Sequence, residues 1–282
     1  MSATWASDTP PDPVVIGPLG WLLVLLRGGA LIALISVCLI LLLLLRLVEV
    51  PIWGQGRPLT PFIVQFVCRN AFRILGMGFS THGHPLKGPG AVVANHSSWL
   101  DIFSLNAGKR IYFVSKAEVA GWPGIGILAR ATGTVFIERD RRQARAQTEL
   151  FAERLAAGHK LLFFPEGTST DGLRVLPFKS TLFGAFFADP LRETLKVQPV
   201  SVIYHAPAGQ PARFYGWWGD MAFGPHLLKT LAAPRQGRVE VVYHTPLTVA
   251  EYANRKALAA MAEALVRAGL EAYLPEAERN GA

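Results

Sequence analysis

Cysteine and charge are both scarce in this chain of 282 residues. Its two cysteines, Cys38 and Cys68, are too few for a disulfide scaffold or a zinc site built from thiolates alone. Charged residues make up 17% of the chain, against about 25% in a typical soluble domain. Acidic residues are the scarcer sign, since 20 Asp and Glu face 28 Lys and Arg and leave a formal net charge of +8. Hydrophobic residues reach 51%, which excludes an intrinsically disordered chain.

The hydrophobic excess is concentrated near the N-terminus. After a polar tail at 1–13, residues 14–48 are strongly apolar, and the run from Gly28 to Leu45 is uncharged over 18 residues. That length is close to the roughly 20 residues that a transmembrane helix needs. Acidic residues precede the run and no small-residue cleavage site follows it, which argues against a removable signal peptide. We therefore expect residues 14–48 to form a membrane anchor.

The charge and the hydrophobicity belong to different parts of the chain. Residues 1–48 contain two acidic and two basic side chains, so the remainder carries the whole +8. The positive-inside tendency then predicts that this basic part lies on the cytoplasmic face of the cell membrane.

A second apolar segment, at 59–78, has helical periodicity. Gln65, Arg69 and Arg73 recur every four residues and form one narrow polar stripe on an otherwise apolar surface. Such a helix suits the bilayer interface, where arginine side chains can reach the headgroups. An amphipathic core helix of the domain is an equal alternative.

Residues 85–275 alternate between short buried strands and helical patterns. Strands are predicted at 91–94, 111–114, 134–137, 161–164, 200–204 and 239–243, and helices at 99–106, 142–157, 178–188 and 249–274. This alternation is typical of an α/β fold, so we expect a single mixed, largely parallel sheet flanked by helices. The segment at 205–237 shows no regular pattern.

His96 directly follows the first predicted strand, in the segment NHSSWLD at 95–101. Asp101 lies five residues further on, so a turn that enters a helix can bring its carboxylate to one imidazole nitrogen. That contact would set the tautomer and leave the other nitrogen to accept a proton. A lone histidine is more often structural, and it is the pairing with Asp101 that predicts a general base.

Two other strand ends carry charged residues. In FPEGT at 164–168, a carboxylate and a glycine follow a buried strand. The carboxylate suits a substrate hydroxyl, and backbone N–H groups at the glycine suit a developing oxyanion. In GTVFIER at 133–139, a strand ends at Arg139, whose guanidinium matches a phosphate. A plain strand-ending turn and a solvated charged face are the ordinary alternatives.

Taken together, these three segments resemble the first three motifs of the glycerolipid acyltransferase family, which includes 1-acylglycerol-3-phosphate O-acyltransferases. The segment VQPV at 197–200 is similar to the fourth motif, a proline-containing strand. The resemblance covers roughly residues 85–205, and the hydrophobic N-terminus fits it. The four motifs in this order are far more specific than any one of them.

The resemblance implies a lysolipid O-acyltransferase in which His96 is the general base and Asp101 orients it. The free hydroxyl of the lysolipid would attack an acyl thioester, of acyl-carrier protein or acyl-coenzyme A, with no acyl-enzyme, metal or other cofactor. The expected partners are the lysolipid, the thioester donor and the membrane surface, and no nucleic acid is expected. The substrate-binding residues that we predict are Lys116, Phe136, Arg139, Glu166, Gly167, Thr168 and Lys179.

One position departs from the family pattern. The third motif usually reads Glu-Gly-Thr-Arg, whereas Ser169 stands in place of the arginine. If the acceptor is lysophosphatidic acid, Arg174 or Lys179 could replace the lost phosphate contact. If the acceptor has no phosphomonoester, no replacement is needed, and EGTSTDG followed by VLPFKS resembles the branch that acylates lyso-ornithine lipid. Both acceptors stay open.

Two other function classes fit parts of the sequence. A membrane-bound serine esterase or lipase would need a nucleophile such as Ser97 or Ser98, but the chain has no G-x-S-x-G turn. A non-catalytic basic lipid-binding module would use the +8 charge, and it predicts that His96 and Asp101 are dispensable.

Overall fold

The computed structural model describes residues 4–8, 10–138, 144–189 and 191–276. The first helix, α1 (Pro18–Trp53), has 36 residues and is long and apolar enough to cross a membrane. Only 11% of its most apolar stretch is buried against the rest of the protein. It starts at a proline, whose missing N–H costs nothing in a first helical turn, and ends before Gly54.

Helices and short strands alternate along the rest of the chain. The other helices are α2 (Thr60–Leu75), α3 (Asp101–Gly108), α4 (Ile125–Thr132), α5 (Ala144–Ala156), α6 (Leu191–Thr194), α7 (Phe223–Ala232) and α8 (Arg255–Tyr273). The strands are β1 (Gly78–Gly83), β2 (Gly90–Ala94), β3 (Tyr112–Lys116), β4 (Val135–Ile137), β5 (Lys160–Phe163), β6 (Lys196–His205), β7 (Arg238–Tyr243) and β8 (Leu247–Thr248). Short 3-10 helices lie at Ala117–Gly121, Ser180–Phe187 and Val249–Glu251.

The strands form one sheet in the order β1-β7-β6-β2-β5-β3-β4, with β8 paired to β6. From β6 to β4 the strands are parallel, whereas β7 and β8 are antiparallel to β6 and β1 is parallel to β7. The prediction of a single mixed, largely parallel sheet flanked by helices is confirmed. Because β2, β5 and β6 are parallel neighbours, their carboxyl ends meet at one edge of the sheet, where α/β proteins bind ligands.

The central strand β2 is buried on both faces, and its side chains alternate between two cores. Ala91 and Val93 face the core that includes Phe163 and side chains of α5 and α8. Val92 and Ala94 face the core that contains side chains of α2 and α3. Burial on both faces is the reason that this strand is a continuous apolar run rather than an alternating pattern.

Two predicted helices differ from the structure. The segment predicted as a helix at 178–188 contains a 3-10 helix, Ser180–Phe187. The helix predicted from residue 249 begins at Arg255, because the side chain of Asn254 accepts from the backbone N–H groups of Lys256 and Ala257 and so caps the first turn. The irregular segment at 205–237 contains α7.

Helix α2 turns part of its polar stripe toward the protein. Gln65 Nε2 and Arg69 Nε donate to the carbonyl oxygen of Ala107, at the C-terminal end of α3, over 3.2 and 2.9 Å. Of the two alternatives, these contacts favour packing against the domain, because the carbonyls at the end of α3 attract donors. Phe62 and Phe66 are exposed instead. Membrane contact by this helix stays a prediction, with these two rings at its surface.

Candidate active site

His96 and Asp101 form a hydrogen-bonded pair at the carboxyl end of β2. Nδ1 of His96 lies 2.7 Å from Oδ2 of Asp101, the first residue of α3. Because a carboxylate only accepts, Nδ1 is the protonated nitrogen, and Nε2 keeps its lone pair. The imidazole side chain is 23% exposed and stacks on the ring of Phe164, with 4.0 Å between the centroids. The geometry predicted for a general base and its orienting carboxylate is therefore present.

Asp101 is fully buried, and four donors satisfy its carboxylate. Besides His96, the backbone N–H groups of Ser97 (2.9 Å) and Ser98 (3.1 Å) donate to Oδ2, and the hydroxyl of Tyr204 donates to Oδ1 over 2.8 Å. The N-terminal turn of α3 adds a partial positive charge. A carboxylate held by this many donors keeps the imidazole in one orientation.

Tyr204 belongs to the site although no sequence pattern indicated it. It lies near the carboxyl end of β6, the parallel neighbour of β2. Burial and the charge of Asp101 raise the pKa of Tyr204 well above its ordinary value, so the hydroxyl stays a donor. Asn95 holds the two strand ends together, since its side chain accepts from Val202 N over 2.8 Å and donates to Val202 O over 2.9 Å.

Glu166 joins the site through its contacts with the backbone. Oε1 accepts from His96 N, and Oε2 accepts from Leu176 N, each over 2.7 Å. The residue is 1% exposed, and burial raises the pKa of Glu166 to about 8, although both backbone contacts act in the opposite direction. Contact between this carboxylate and the acceptor stays a prediction. In the structure, the two oxygens of Glu166 connect the loop after β2 to the loop after β5.

Gly167, Thr168 and Lys179 lie together beside Glu166. Gly167 has a φ of 75°, a backbone conformation that favours glycine, and Nζ of Lys179 lies within 2.7 Å of where a Cβ would stand. The backbone N–H of Lys179 donates to Pro165 O over 2.9 Å. Thr168 Oγ1 accepts from the backbone N–H of Trp5 over 3.3 Å, which brings the N-terminal segment to this loop.

The other predicted substrate-binding residues lie further along the sheet. Lys116 ends β3 and pairs with Ile137, and Phe136 pairs with Ser115 in the same two strands. Both strands are parallel to β5, so their carboxyl ends lie at the same edge as His96. Arg139 lies outside the described residues, and its role stays a prediction.

Ser97 and Ser98 are unsuited to be esterase nucleophiles. They are 1% and 0% exposed. The hydroxyl of Ser98 accepts from Leu100 N over 3.3 Å, and that of Ser97 accepts from the side chain of Asn95 over 3.4 Å. A nucleophile must reach a substrate carbonyl, which buried hydroxyls cannot do.

Partly exposed aromatic rings form an apolar wall on the side of α7. Trp99 packs edge-on against Phe103 and Phe223, at 6.0 and 5.5 Å between centroids, and Trp217 packs against Phe223 at 6.3 Å. The backbone N–H of Trp217 donates to Ser97 O over 2.8 Å, so the wall adjoins the loop after β2 that carries His96. Sequence reasoning missed it, because Trp217 and Phe223 lie in the irregular segment.

The arrangement suits the removal of a proton from a substrate hydroxyl. No covalent bond between substrate and enzyme is needed for this step. Its parts are an oriented imidazole with one unprotonated nitrogen, a buried carboxylate of the kind that stabilises an imidazolium, and an apolar wall. Among the residues that the structure describes, no group of three or more His, Cys, Asp or Glu is placed to hold a metal ion.

Comparison with known proteins agrees with this site. Residues 79–203 match the family model described as "Acyltransferase". The chain is 55% identical over 268 residues to a lyso-ornithine lipid O-acyltransferase of Rhodobacter capsulatus, covering 94% of this chain and 96% of that protein. It is 38% identical over 120 residues to a 1-acyl-sn-glycerol-3-phosphate acyltransferase of Neisseria gonorrhoeae, covering 42% of this chain and 46% of that protein.

A crystal structure of PlsC, the 1-acyl-sn-glycerophosphate acyltransferase from Thermotoga maritima, has a similar fold. Its TM-score is 0.56 at 23% identity, over 76% of this chain and 79% of that one. The family match and the relatives together define an enzyme that transfers acyl groups. The chain belongs to the acyltransferase family, as its motifs predicted.

Proposed function

We propose that this enzyme is a membrane-anchored lysolipid O-acyltransferase whose acceptor is lyso-ornithine lipid. The observation that carries the proposal is the extent of the similarity. It covers nearly the whole chain for the lyso-ornithine lipid enzyme and less than half for the enzyme with a phosphate-bearing acceptor. Ser169 supports the same acceptor, because it removes an arginine that would suit a phosphate.

In the proposed reaction, Nε2 of His96 takes the proton of the acceptor hydroxyl as its oxygen attacks the thioester carbonyl. A carbon–oxygen bond forms, and the carbon–sulfur bond then breaks. The imidazolium returns its proton to the leaving thiolate, so the base is regenerated. Asp101 stabilises the imidazolium between these steps, and Tyr204 and the two backbone donors hold Asp101 in place.

The donor and the location belong to the same proposal. The donor is an acyl thioester of acyl-carrier protein or coenzyme A. The anchor α1 keeps the enzyme at the bilayer that contains the acceptor, and the basic remainder lies on the cytoplasmic face. There the +8 charge attracts anionic headgroups and an acidic carrier protein.

The test is an acyl-transfer assay of the purified full-length protein in mixed micelles. Lyso-ornithine lipid and lysophosphatidic acid are supplied separately at matched concentrations, each with acyl-carrier protein and with acyl-coenzyme A, and products are measured by mass spectrometry. We expect kcat/KM to be higher for lyso-ornithine lipid. A higher value for lysophosphatidic acid would contradict the proposed acceptor and leave the acyltransferase assignment intact.

A further inference from the structure

We infer that Arg174, held between Asp171 and Trp5, binds the carboxylate of the acceptor headgroup. The inference rests on the proposed function, because an ornithine headgroup linked to its acyl chain through the α-nitrogen keeps a free carboxylate. It also gives the N-terminal segment ahead of α1 a part in acceptor recognition.

The N-terminal segment packs against the loop that follows β5. The backbone N–H of Trp5 donates to Thr168 Oγ1 over 3.3 Å, and its ring lies 6.2 Å from that of Trp218. Further along, Asp12 pairs with Arg213 at 3.2 Å. The Trp5 contact places the start of the segment beside the FPEGT motif, and the Asp12 contact holds its other end.

The guanidinium of Arg174 is bound to Asp171 along one of its edges. Its Nε donates to Oδ1 of Asp171 over 3.1 Å, and its Nη2 lies 2.9 Å from Oδ2. Asp171 is buried, whereas the side chain of Arg174 is 47% exposed. The guanidinium also lies over the ring of Trp5, with 5.3 Å from Cζ to the centroid. Because a guanidinium carries five N–H groups, the contacts among the residues that the structure describes leave the edge at Nη1 for a ligand.

The backbone around Arg174 connects it to the catalytic histidine. Thr170 N donates to His96 O over 2.9 Å, and Thr170 Oγ1 donates to the carbonyl of Arg174 over 3.4 Å. Leu176, two residues further on, is held by Glu166. Arg174 therefore lies on the loop that is bonded to the backbone of His96.

The charge at this position favours a carboxylate over a phosphomonoester. The remaining edge of a single guanidinium matches the planar, singly charged carboxylate. A phosphomonoester carries more charge, and Ser169 contributes no cation where the family motif has one. Trp5 is a positioning residue here, since its ring holds the guanidinium in place.

The test compares two acceptors in the wild-type full-length enzyme, namely lyso-ornithine lipid and its analogue with the carboxylate converted to a primary amide. We expect the amide to raise the acceptor KM about tenfold, with kcat within a factor of about two. Arg174→Gln should raise the KM for lyso-ornithine lipid by a similar factor and abolish the difference between the two acceptors. Arg145→Gln, the same change at an exposed position on α5, should preserve the difference.

Trp5 is tested with the same two acceptors. Trp5→Ala should raise the KM for lyso-ornithine lipid about threefold and leave the KM for the amide and for the thioester unchanged. Trp5→Phe, which keeps an aromatic face, should restore most of the loss.

Equal KM values for both acceptors in the wild-type enzyme would overturn the inference, and this result does not depend on how any variant folds. Arg174→Gln would also overturn the inference if it kept the full difference in KM between the two acceptors. In either case efficient acylation of lyso-ornithine lipid would still support the proposed function. A wild-type enzyme that acylates lysophosphatidic acid alone would instead overturn both.

Discussion

At the scale of single residues, the buried carboxylate of Asp101 organises the site. His96, Ser97, Ser98 and Tyr204 all donate to it. A buried charge is costly unless its hydrogen bonds are made, and here each donor also ties a different part of the chain to the start of α3. The carboxylate that orients His96 therefore also stabilises the loop on which His96 lies.

Replacing the base tests the proposed mechanism directly. His96→Ala should lower kcat by about 10²–10⁴-fold while the protein remains in the membrane fraction, because general base catalysis contributes on that order. Acyl transfer from a labelled thioester measures the loss. His84→Ala, at an exposed loop position, is the matched control and should retain activity. Full activity of His96→Ala would exclude His96 as the base.

Tyr204→Phe removes one donor from Asp101 and adds no bulk. We expect a loss of about 1.5–3 kcal/mol in the free energy of unfolding, the range for a hydrogen bond to a charged group. The measurement is chemical denaturation in detergent micelles. Tyr252→Phe, at a partly exposed position, should change stability by less than about 0.5 kcal/mol. Equal effects of the two variants would show that the hydroxyl of Tyr204 contributes little to Asp101.

Glu166 predicts a pH dependence of stability. Its pKa is about 8 in the folded chain against an ordinary value of 4.5, so folding strengthens the binding of this proton. The stabilisation is complete below pH 4.5 and is lost as the pH rises to about 8. The thermal unfolding midpoint should fall across this window, and less steeply in Glu166→Gln, which does not titrate. Parallel slopes in both proteins would contradict the prediction.

At the scale of elements, the parallel strands place the chemistry. The loops after β2 and β5 meet because these strands are hydrogen-bonded neighbours, and β6 brings Tyr204 to the same edge. Behind the sheet, α8 packs on β6 and on the 3-10 helix Ser180–Phe187, with Leu258 and Phe183 fully buried. Support for the site thus extends to the C-terminal helix.

The cap of α8 offers a test of this support. Asn254→Ala removes the acceptor for two backbone N–H groups and should cost about 1 kcal/mol. The thermal midpoint, followed by circular dichroism, should fall by about 2–4 °C. Asn254→Ser keeps a capping oxygen and should recover most of the loss. A cap that contributed nothing would leave all three midpoints equal.

At the scale of the whole molecule, a long apolar helix is docked on a basic domain. Arg27, within α1, donates to the carbonyl oxygens of Leu231 (2.8 Å) and Ala233 (2.6 Å) at the end of α7. Helix α1 is therefore attached to the segment that also carries the aromatic wall. This attachment sets the position of the site relative to α1.

We expect this protein to stay in the membrane fraction under conditions that release peripheral proteins. Because most of α1 is apolar and exposed, we expect the chain to remain in the membrane pellet after washes with high salt and with alkaline carbonate. Immunoblotting of pellet and supernatant measures the distribution. Release by salt alone would indicate attachment through the +8 charge rather than through the helix.

The sequence by itself determined the features that depend on local order. The apolar run predicted α1, and the alternation of strands and helices predicted the sheet. The five-residue spacing of His96 and Asp101 was enough to predict their contact, because both partners lie in the one short segment that leads from β2 into α3. Likewise, the order of the motifs identified the family.

Only the tertiary structure decided what depends on distant contacts. Tyr204 meets Asp101 across 103 positions of sequence, and Trp5 meets Thr168 across 163. It also decided that Glu166 binds backbone groups and that Gln65 and Arg69 face α3. The physical reason is that strand order and the direction of a helix face result from packing among elements far apart in the chain, whereas a motif reflects only its neighbours.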